Sequence, residues 1–130
     1  MNVRNLLTLN AVLVALVSLT ALLSPTTFLE TSDVEVTQYT INLMRVYGAV
    51  ISGAAVTSWL LRNEPASRAR RAFLIGVGVN YAVFALVIVI NITSTPDLET
   101  NIDWLYFSLN VLLAFAFFYF SFKDTDEGAR

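Results

Sequence analysis

The fold is decided by residues 72–96, which read AFLIGVGVNYAVFALVIVINITSTP and carry no charged side chain over 25 positions. A bilayer's hydrocarbon core is about 30 Å thick, and a helix crosses it with about 20 residues at 1.5 Å each. The apolar residues run on without the alternation of a half-buried strand. This stretch therefore predicts a membrane-spanning helix, because a helix satisfies its own backbone hydrogen bonds in lipid.

Three more stretches have the same character. Residues 5–29, 46–61 and 104–122 contain no charge, and the second reaches 41 if Arg45 is accepted within it. We expect four helices, near 4–24, 41–62, 70–92 and 102–122. Their short connections favour antiparallel neighbours. The sequence thus predicts an all-α integral membrane protein, an antiparallel four-helix bundle that forms a single domain over 1–130.

The composition excludes several classes of protein. Hydrophobic residues make up 56% of the chain and charged residues 14%, whereas a soluble domain has roughly a quarter charged residues. The net charge of −2 has the wrong sign for binding nucleic acid. The chain has no Cys and no His, which removes thiol and imidazole chemistry and the usual ligands of zinc and haem. We expect no enzyme and no cofactor.

Basic residues indicate the orientation of the spans. Arg4 precedes the first span, and Lys123 and Arg130 follow the last. The link between the second and third spans holds Arg62, Arg68, Arg70 and Arg71. The opposite links, 25–40 and 93–101, contain no Lys or Arg. The positive-inside rule therefore predicts a multi-pass protein of the cell membrane with both termini in the cytoplasm.

Residues at the ends of the spans predict where the helices begin and end. Pro25 should end the first helix, since it cannot donate a backbone hydrogen bond and clashes with the preceding turn. Thr40, Ser67 and Asn101 are the expected N-caps of the second, third and fourth helices.

Small residues predict close contacts between helices, because helices in lipid associate by tight packing and interhelical hydrogen bonds. The second span has two pairs at one-turn spacing, Gly48 with Ser52 and Ala49 with Gly53. In the third span Ala72, Gly76 and Asn80 share one face, and Gly78 adds a second small position. We expect these faces to meet at the centre of the bundle.

The fourth span is bulky all round. Its second half contains Phe115, Phe117, Phe118, Tyr119, Phe120 and Phe122. This composition suggests a helix that faces lipid or another subunit.

Arg45 is the only full charge well inside a predicted span. It can extend its long side chain to the outer headgroups or pair with Asp103, which begins the fourth span. Asp103 alone can also complement the dipole of its own helix. The alternative is a ligand site for an anion, a headgroup or a quinone near Arg45 and Tyr47. We favour a structural role and keep the ligand site open.

Three asparagines lie inside the predicted spans. Asn80 and Asn110 fall near mid-membrane, and Asn10 lies a third of the way into the first span. An unpaired amide costs several kcal/mol in hydrocarbon. We expect these amides to bond one another or a backbone carbonyl, which stabilises helix pairs by about 1 kcal/mol each. The alternative is a polar cavity for a small ligand or a quinone head.

The central block resembles a known set of proteins. Residues 43–62 read LMRVYGAVISGAAVTSWLLR, ARRA follows at 69–72, and then come Gly76, Asn80 and Trp104 before the closing LLAFAFFYF. This order is similar to small, mostly uncharacterised four-span membrane proteins of prokaryotes that are distantly DoxX-like. The resemblance implies a four-helix membrane bundle and no reaction.

Three functions remain after these exclusions. The first is a non-catalytic structural, accessory or lipid-binding bundle, with membrane lipids and a homo-oligomer or larger membrane complex as partners. The second is an oligomeric transporter or channel for a small solute or ion, which would need a water-filled cavity lined by Asn80. The third is an accessory subunit of a quinone-linked redox complex. We favour the first.

Overall fold

The computed structural model describes residues 2–31, 34–94 and 101–128, with side chains over 103–123 in the last range. Within these residues the chain forms five helices and no strand. They are α1 (Val3–Leu23), α2 (Pro25–Thr31), α3 (Gln38–Leu61), α4 (Arg68–Ser94) and α5 (Asn101–Gly128). The all-α prediction is confirmed, and the four long helices cover the four predicted spans.

Four segments are long and apolar enough to cross a membrane. They are Val3–Leu23, Gln38–Leu61, Arg68–Ser94 and Asp103–Lys123, with 21, 24, 27 and 21 residues. At 1.5 Å per residue, each is about 30–40 Å long, which matches the hydrocarbon thickness of a bilayer.

The link after α1 contains a short helix that the sequence analysis did not predict. The amide of Ser24 donates to the Thr20 carbonyl at 2.9 Å, which closes α1. Pro25 then opens α2, as proline does at a first helical position where no backbone donor is needed. Leu29 is buried, so this link covers apolar surface. Pro25 therefore ends α1 as predicted and also begins α2.

The start of α3 lies one turn earlier than predicted. Thr37 is the N-cap, and its side-chain oxygen accepts from the Thr40 amide at 3.1 Å. The Thr40 hydroxyl accepts in turn from the Thr37 amide at 2.8 Å. This reciprocal capping box satisfies two backbone donors. The prediction of Thr40 as N-cap is wrong because Thr40 is the second member of the box.

The N-cap predicted for the third span is confirmed. The Ser67 hydroxyl accepts from the Arg70 amide at 3.2 Å, just before α4 begins. Asn101 is the first residue of α5, and its side chain lies outside the described residues.

The chain divides into two compact units, Met1–Asn63 and Glu64–Arg130. In the first unit α1 and α3 are antiparallel, since Asn10 contacts Ser58 near one end and Ser18 contacts Gly48 towards the other. The predicted antiparallel pairing of sequence neighbours is confirmed for these two helices.

The second unit pairs α4 with α5. Tyr81 and Phe117 lie with their ring centroids 5.8 Å apart, and Gly78 lies against Phe118. The order of these contacts makes α4 and α5 antiparallel as well. The assembly of the two units into one bundle stays a prediction.

Helix α5 has an inner and an outer side, although its composition is bulky throughout. Phe117 is fully buried and Phe120 nearly so, whereas Phe115, Tyr119 and Phe122 are more than 60% exposed. The exposed side is compatible with the expected helix that faces lipid or another subunit, which stays a prediction, whereas the packed side was not predicted. Because aromatic residues lie on both sides of α5, the sequence does not distinguish the packed face from the exposed one. The contacts in the structure do.

Candidate functional site

Asn10 and Ser58 form a polar contact between α1 and α3. Both side chains are buried, with 1% and 0% of their surface exposed. The Asn10 amide Nδ2 donates to the Ser58 hydroxyl at 2.7 Å. The contact therefore joins two spans by an interhelical hydrogen bond of the kind that holds membrane helices together.

A second polar contact lies towards the other end of the same helix pair. The buried Ser18 hydroxyl donates to the Gly48 carbonyl at 2.8 Å. A side chain on Gly48 would be tightly placed, because its Cβ would lie 3.0 Å from Ala21 Cβ, Leu22 Cγ and the Ser18 carbonyl oxygen. The absence of a Cβ lets the two backbones approach closely enough for the bond.

Gly48 therefore packs against the first span, whereas the sequence analysis placed it against the third. That prediction is wrong for Gly48 because its small surface serves the antiparallel neighbour within its own unit. Spacing along a helix identifies a small face but does not identify the helix that covers it.

The other small residues of α3 have different environments. Ser52 is half-buried and donates to the Ala49 carbonyl of its own helix at 2.7 Å. Gly53 is exposed, and nothing lies within 4 Å of the position its Cβ would take.

The two glycines of α4 also differ. A Cβ on Gly78 would lie 3.2 Å from the ring of Phe118, so this glycine admits α5 at close range. Gly76 is exposed and has nothing within 4 Å of its Cβ position. Of the predicted packing positions, Gly48 and Gly78 thus lie in helix contacts within their units.

The two mid-membrane asparagines do not bond each other. The Asn110 amide donates to the Tyr106 carbonyl at 2.8 Å within its own helix. Asn80 is exposed, and its side chain has no hydrogen-bond partner among the described residues. Asn110 bonds within its own helix, while Asn80 places its amide on the exposed side of an apolar helix.

Arg45 is exposed on α3, about two turns from its start at Gln38. Tyr47 is half-buried two residues further on, so the two side chains point to different sides of the helix. Asp103 is half-buried in the first turn of α5 and belongs to the other unit. The pairing of Arg45 with Asp103 stays a prediction.

The arginines in the first turn of α4 differ in their contacts. Arg70 is 92% buried, and its Nη1 donates to the carbonyl of Glu64, which ties the link to the first turn of the helix. The Nε of Arg71 is buried with no hydrogen-bond partner among the described residues, and Arg68 is exposed. The positive charge of these residues predicts the topology, but it does not predict that Arg70 bonds the link or that part of Arg71 is buried.

Arg62 lies at the end of the first unit and contacts Trp59 of the same helix end. Its guanidinium carbon is 3.3 Å from the centre of the Trp59 ring, and its Nη1 donates to the Trp59 carbonyl. This cation–π contact combines a basic and an aromatic residue, the two kinds that favour the headgroup layer.

Residues 8–129 match the model of a family described as a domain of unknown function, DUF8292. The chain belongs to this family. No curated protein and no solved structure matches it.

The DUF8292 match includes most of α1 and all of α3 and α4. It therefore covers both helical units, together with the contacts of Asn10 and Gly48. Within the described residues, no three side chains of the His, Cys, Asp and Glu types are grouped as a metal site would require.

Proposed function

We propose that this protein is a non-catalytic four-span component of the cell membrane, with both termini and the arginine-containing link in the cytoplasm. The apolar surface supports insertion, since Leu23, Val50, Leu112 and Phe115 are each more than two-thirds exposed. Leaving such a side chain in water rather than burying it costs about 1.5–3 kcal/mol. In lipid these side chains carry no such cost.

The observation that carries a structural rather than a chemical role is that three polar side chains within the long helices, two of them buried, form hydrogen bonds to helices. The amide of Asn10 and the hydroxyl of Ser18 donate to α3, and the amide of Asn110 donates within α5. Polar groups inside a membrane protein commonly mark a substrate path or a proton relay. Here they are engaged in bonds that hold or complete helices, which favours a scaffold or accessory role.

A transporter or channel built from several copies is the second candidate. It is favoured by Asn80 and Gly76, which are both exposed on one face of α4. An amide without a hydrogen-bond partner costs free energy in apolar surroundings, so this face suits a second copy or a larger membrane complex.

Reconstitution into liposomes separates the two candidates. We expect the purified protein to remain in the membrane after an alkaline carbonate wash and to add no ion or solute flux above that of empty liposomes. Extraction by carbonate would contradict the membrane assignment. Flux that Asn80→Leu abolishes, and that Asn42→Leu on the exposed surface of α3 preserves, would favour the transporter.

A further inference from the structure

The arginines at the start of α4 are placed where the helix itself disfavours them. Arg68, Arg70 and Arg71 all lie in the first turn or immediately after it, and no acid lies in that turn. A helix N-terminus carries partial positive charge, so cations there are unfavourable. Arg68 and Arg71 are three residues apart and therefore adjacent on the helix surface. A topology signal needs positive charge on this side of the membrane but does not need this arrangement.

The three arginines differ in burial and in the hydrogen bonds that their guanidinium groups make. Arg70 is buried and bonded to the Glu64 carbonyl, so it serves the link. Arg68 is exposed, and Arg71 holds a buried Nε without a hydrogen-bond partner in the described part of the chain. Among the described residues, neither Arg68 nor Arg71 forms an ion pair with an acidic side chain.

The position of this pair along α4 indicates which kind of anion would meet it. The charge-free stretch begins at Ala72, directly after Arg71. If α4 crosses the membrane, as the proposed function requires, Arg68 and Arg71 lie at the boundary between hydrocarbon and headgroups. Guanidinium groups bind phosphate oxygens through two parallel hydrogen bonds.

We propose that Arg68 and Arg71 together bind the phosphate of an anionic lipid headgroup, and that Arg70 holds the link in position beside it. This inference rests on the proposed membrane insertion. The site is confined to the second unit, and Arg62 is not part of it because its guanidinium lies on the Trp59 ring.

The test uses the full chain in nanodiscs of phosphatidylcholine with increasing phosphatidylglycerol, with bound lipid counted by native mass spectrometry. The loss of charge-assisted hydrogen bonds from two guanidinium groups to one phosphate predicts binding that is weaker by about thirtyfold or more for Arg68→Gln/Arg71→Gln. The matched control Arg4→Gln/Arg62→Gln removes two arginines from the same predicted side and should bind like the wild type. Equal loss in both variants would overturn the site in favour of diffuse surface charge.

Two further arms identify the source of the anion. Inorganic phosphate added to pure phosphatidylcholine nanodiscs should leave the thermal midpoint of the wild type unchanged, and an increase matching that given by phosphatidylglycerol would overturn a lipid ligand. In pure phosphatidylcholine, Arg68→Gln/Arg71→Gln should unfold at the wild-type temperature. A lower midpoint there would assign the arginines a partner within the chain, such as the acids after Lys123, and overturn the proposal.

If Arg68→Gln/Arg71→Gln does not fold, the proposal is tested on the wild type alone. Its midpoint should rise with the fraction of phosphatidylglycerol, and a flat response would overturn the proposal. If only the lipid site is wrong, the protein still remains in the membrane after a carbonate wash. If the proposed membrane function is wrong, the wash releases the protein.

Discussion

At the scale of single residues, the structure uses its buried polar side chains to join helices. The Asn10 amide and the Ser58 hydroxyl are both buried and lie 2.7 Å apart. The sequence predicted that Asn10 has a partner, because an amide inside an apolar span needs one, but the expected partner was another amide or a backbone carbonyl rather than a hydroxyl. It could not predict Ser58, which lies 48 positions away, because the rotation of each helix about its axis is set by packing.

Removing the Asn10 amide should destabilise the first unit. We expect Asn10→Ala to lower the free energy of unfolding in detergent by about 0.5–2 kcal/mol, since the bond between α1 and α3 is lost. Because both residues act through one bond, Asn10→Ala and Ser58→Ala should be non-additive by about 0.5 kcal/mol or more in a double-mutant cycle.

Asn110→Ala is the matched control for this cycle. Its amide bonds the Tyr106 carbonyl of the same helix, so its loss breaks no contact between helices. Strictly additive effects of the Asn10 and Ser58 substitutions would contradict the interhelical role of their bond.

At the scale of helices, the sequence predicted the four spans well and their surroundings less well. Length and absence of charge locate a span, which is why α1, α3, α4 and α5 lie where expected. Length and absence of charge do not indicate how each helix is rotated about its own axis. Gly48 was therefore assigned to the wrong neighbouring helix, and the packed side of α5 at Phe117 was missed.

The glycines of α3 provide a test of helix packing. We expect Gly48→Ala to lower the free energy of unfolding by about 1–3 kcal/mol, because its Cβ would be forced to within 3.0 Å of α1. Gly53→Ala on the same helix has open space around it and should be neutral or stabilising, since alanine is the better helix former. Thermal or denaturant unfolding in one detergent measures both, and equal effects would contradict close packing at Gly48.

At the scale of the whole molecule, membrane insertion accounts for both the composition and the exposed apolar side chains. Seven of the eight basic residues fall on one predicted side, with Arg45 as the exception. This distribution predicts the orientation of the spans, and the orientation stays a prediction. The spacing of small residues identifies small faces on α3 and α4, but it does not specify which helix covers each face.

The central claim is four crossings with both termini inside the cell, and labelling of single cysteines tests its first two crossings most directly because the natural chain contains none. Glu30→Cys lies in the predicted outer link, while Asn2→Cys and Asn63→Cys lie on the predicted inner side, and all three positions are exposed. In intact cells a membrane-impermeant maleimide should label only Glu30→Cys, and the other two should react only after permeabilisation. Labelling of Asn2→Cys or Asn63→Cys in intact cells, or protection of Glu30→Cys, would contradict the account.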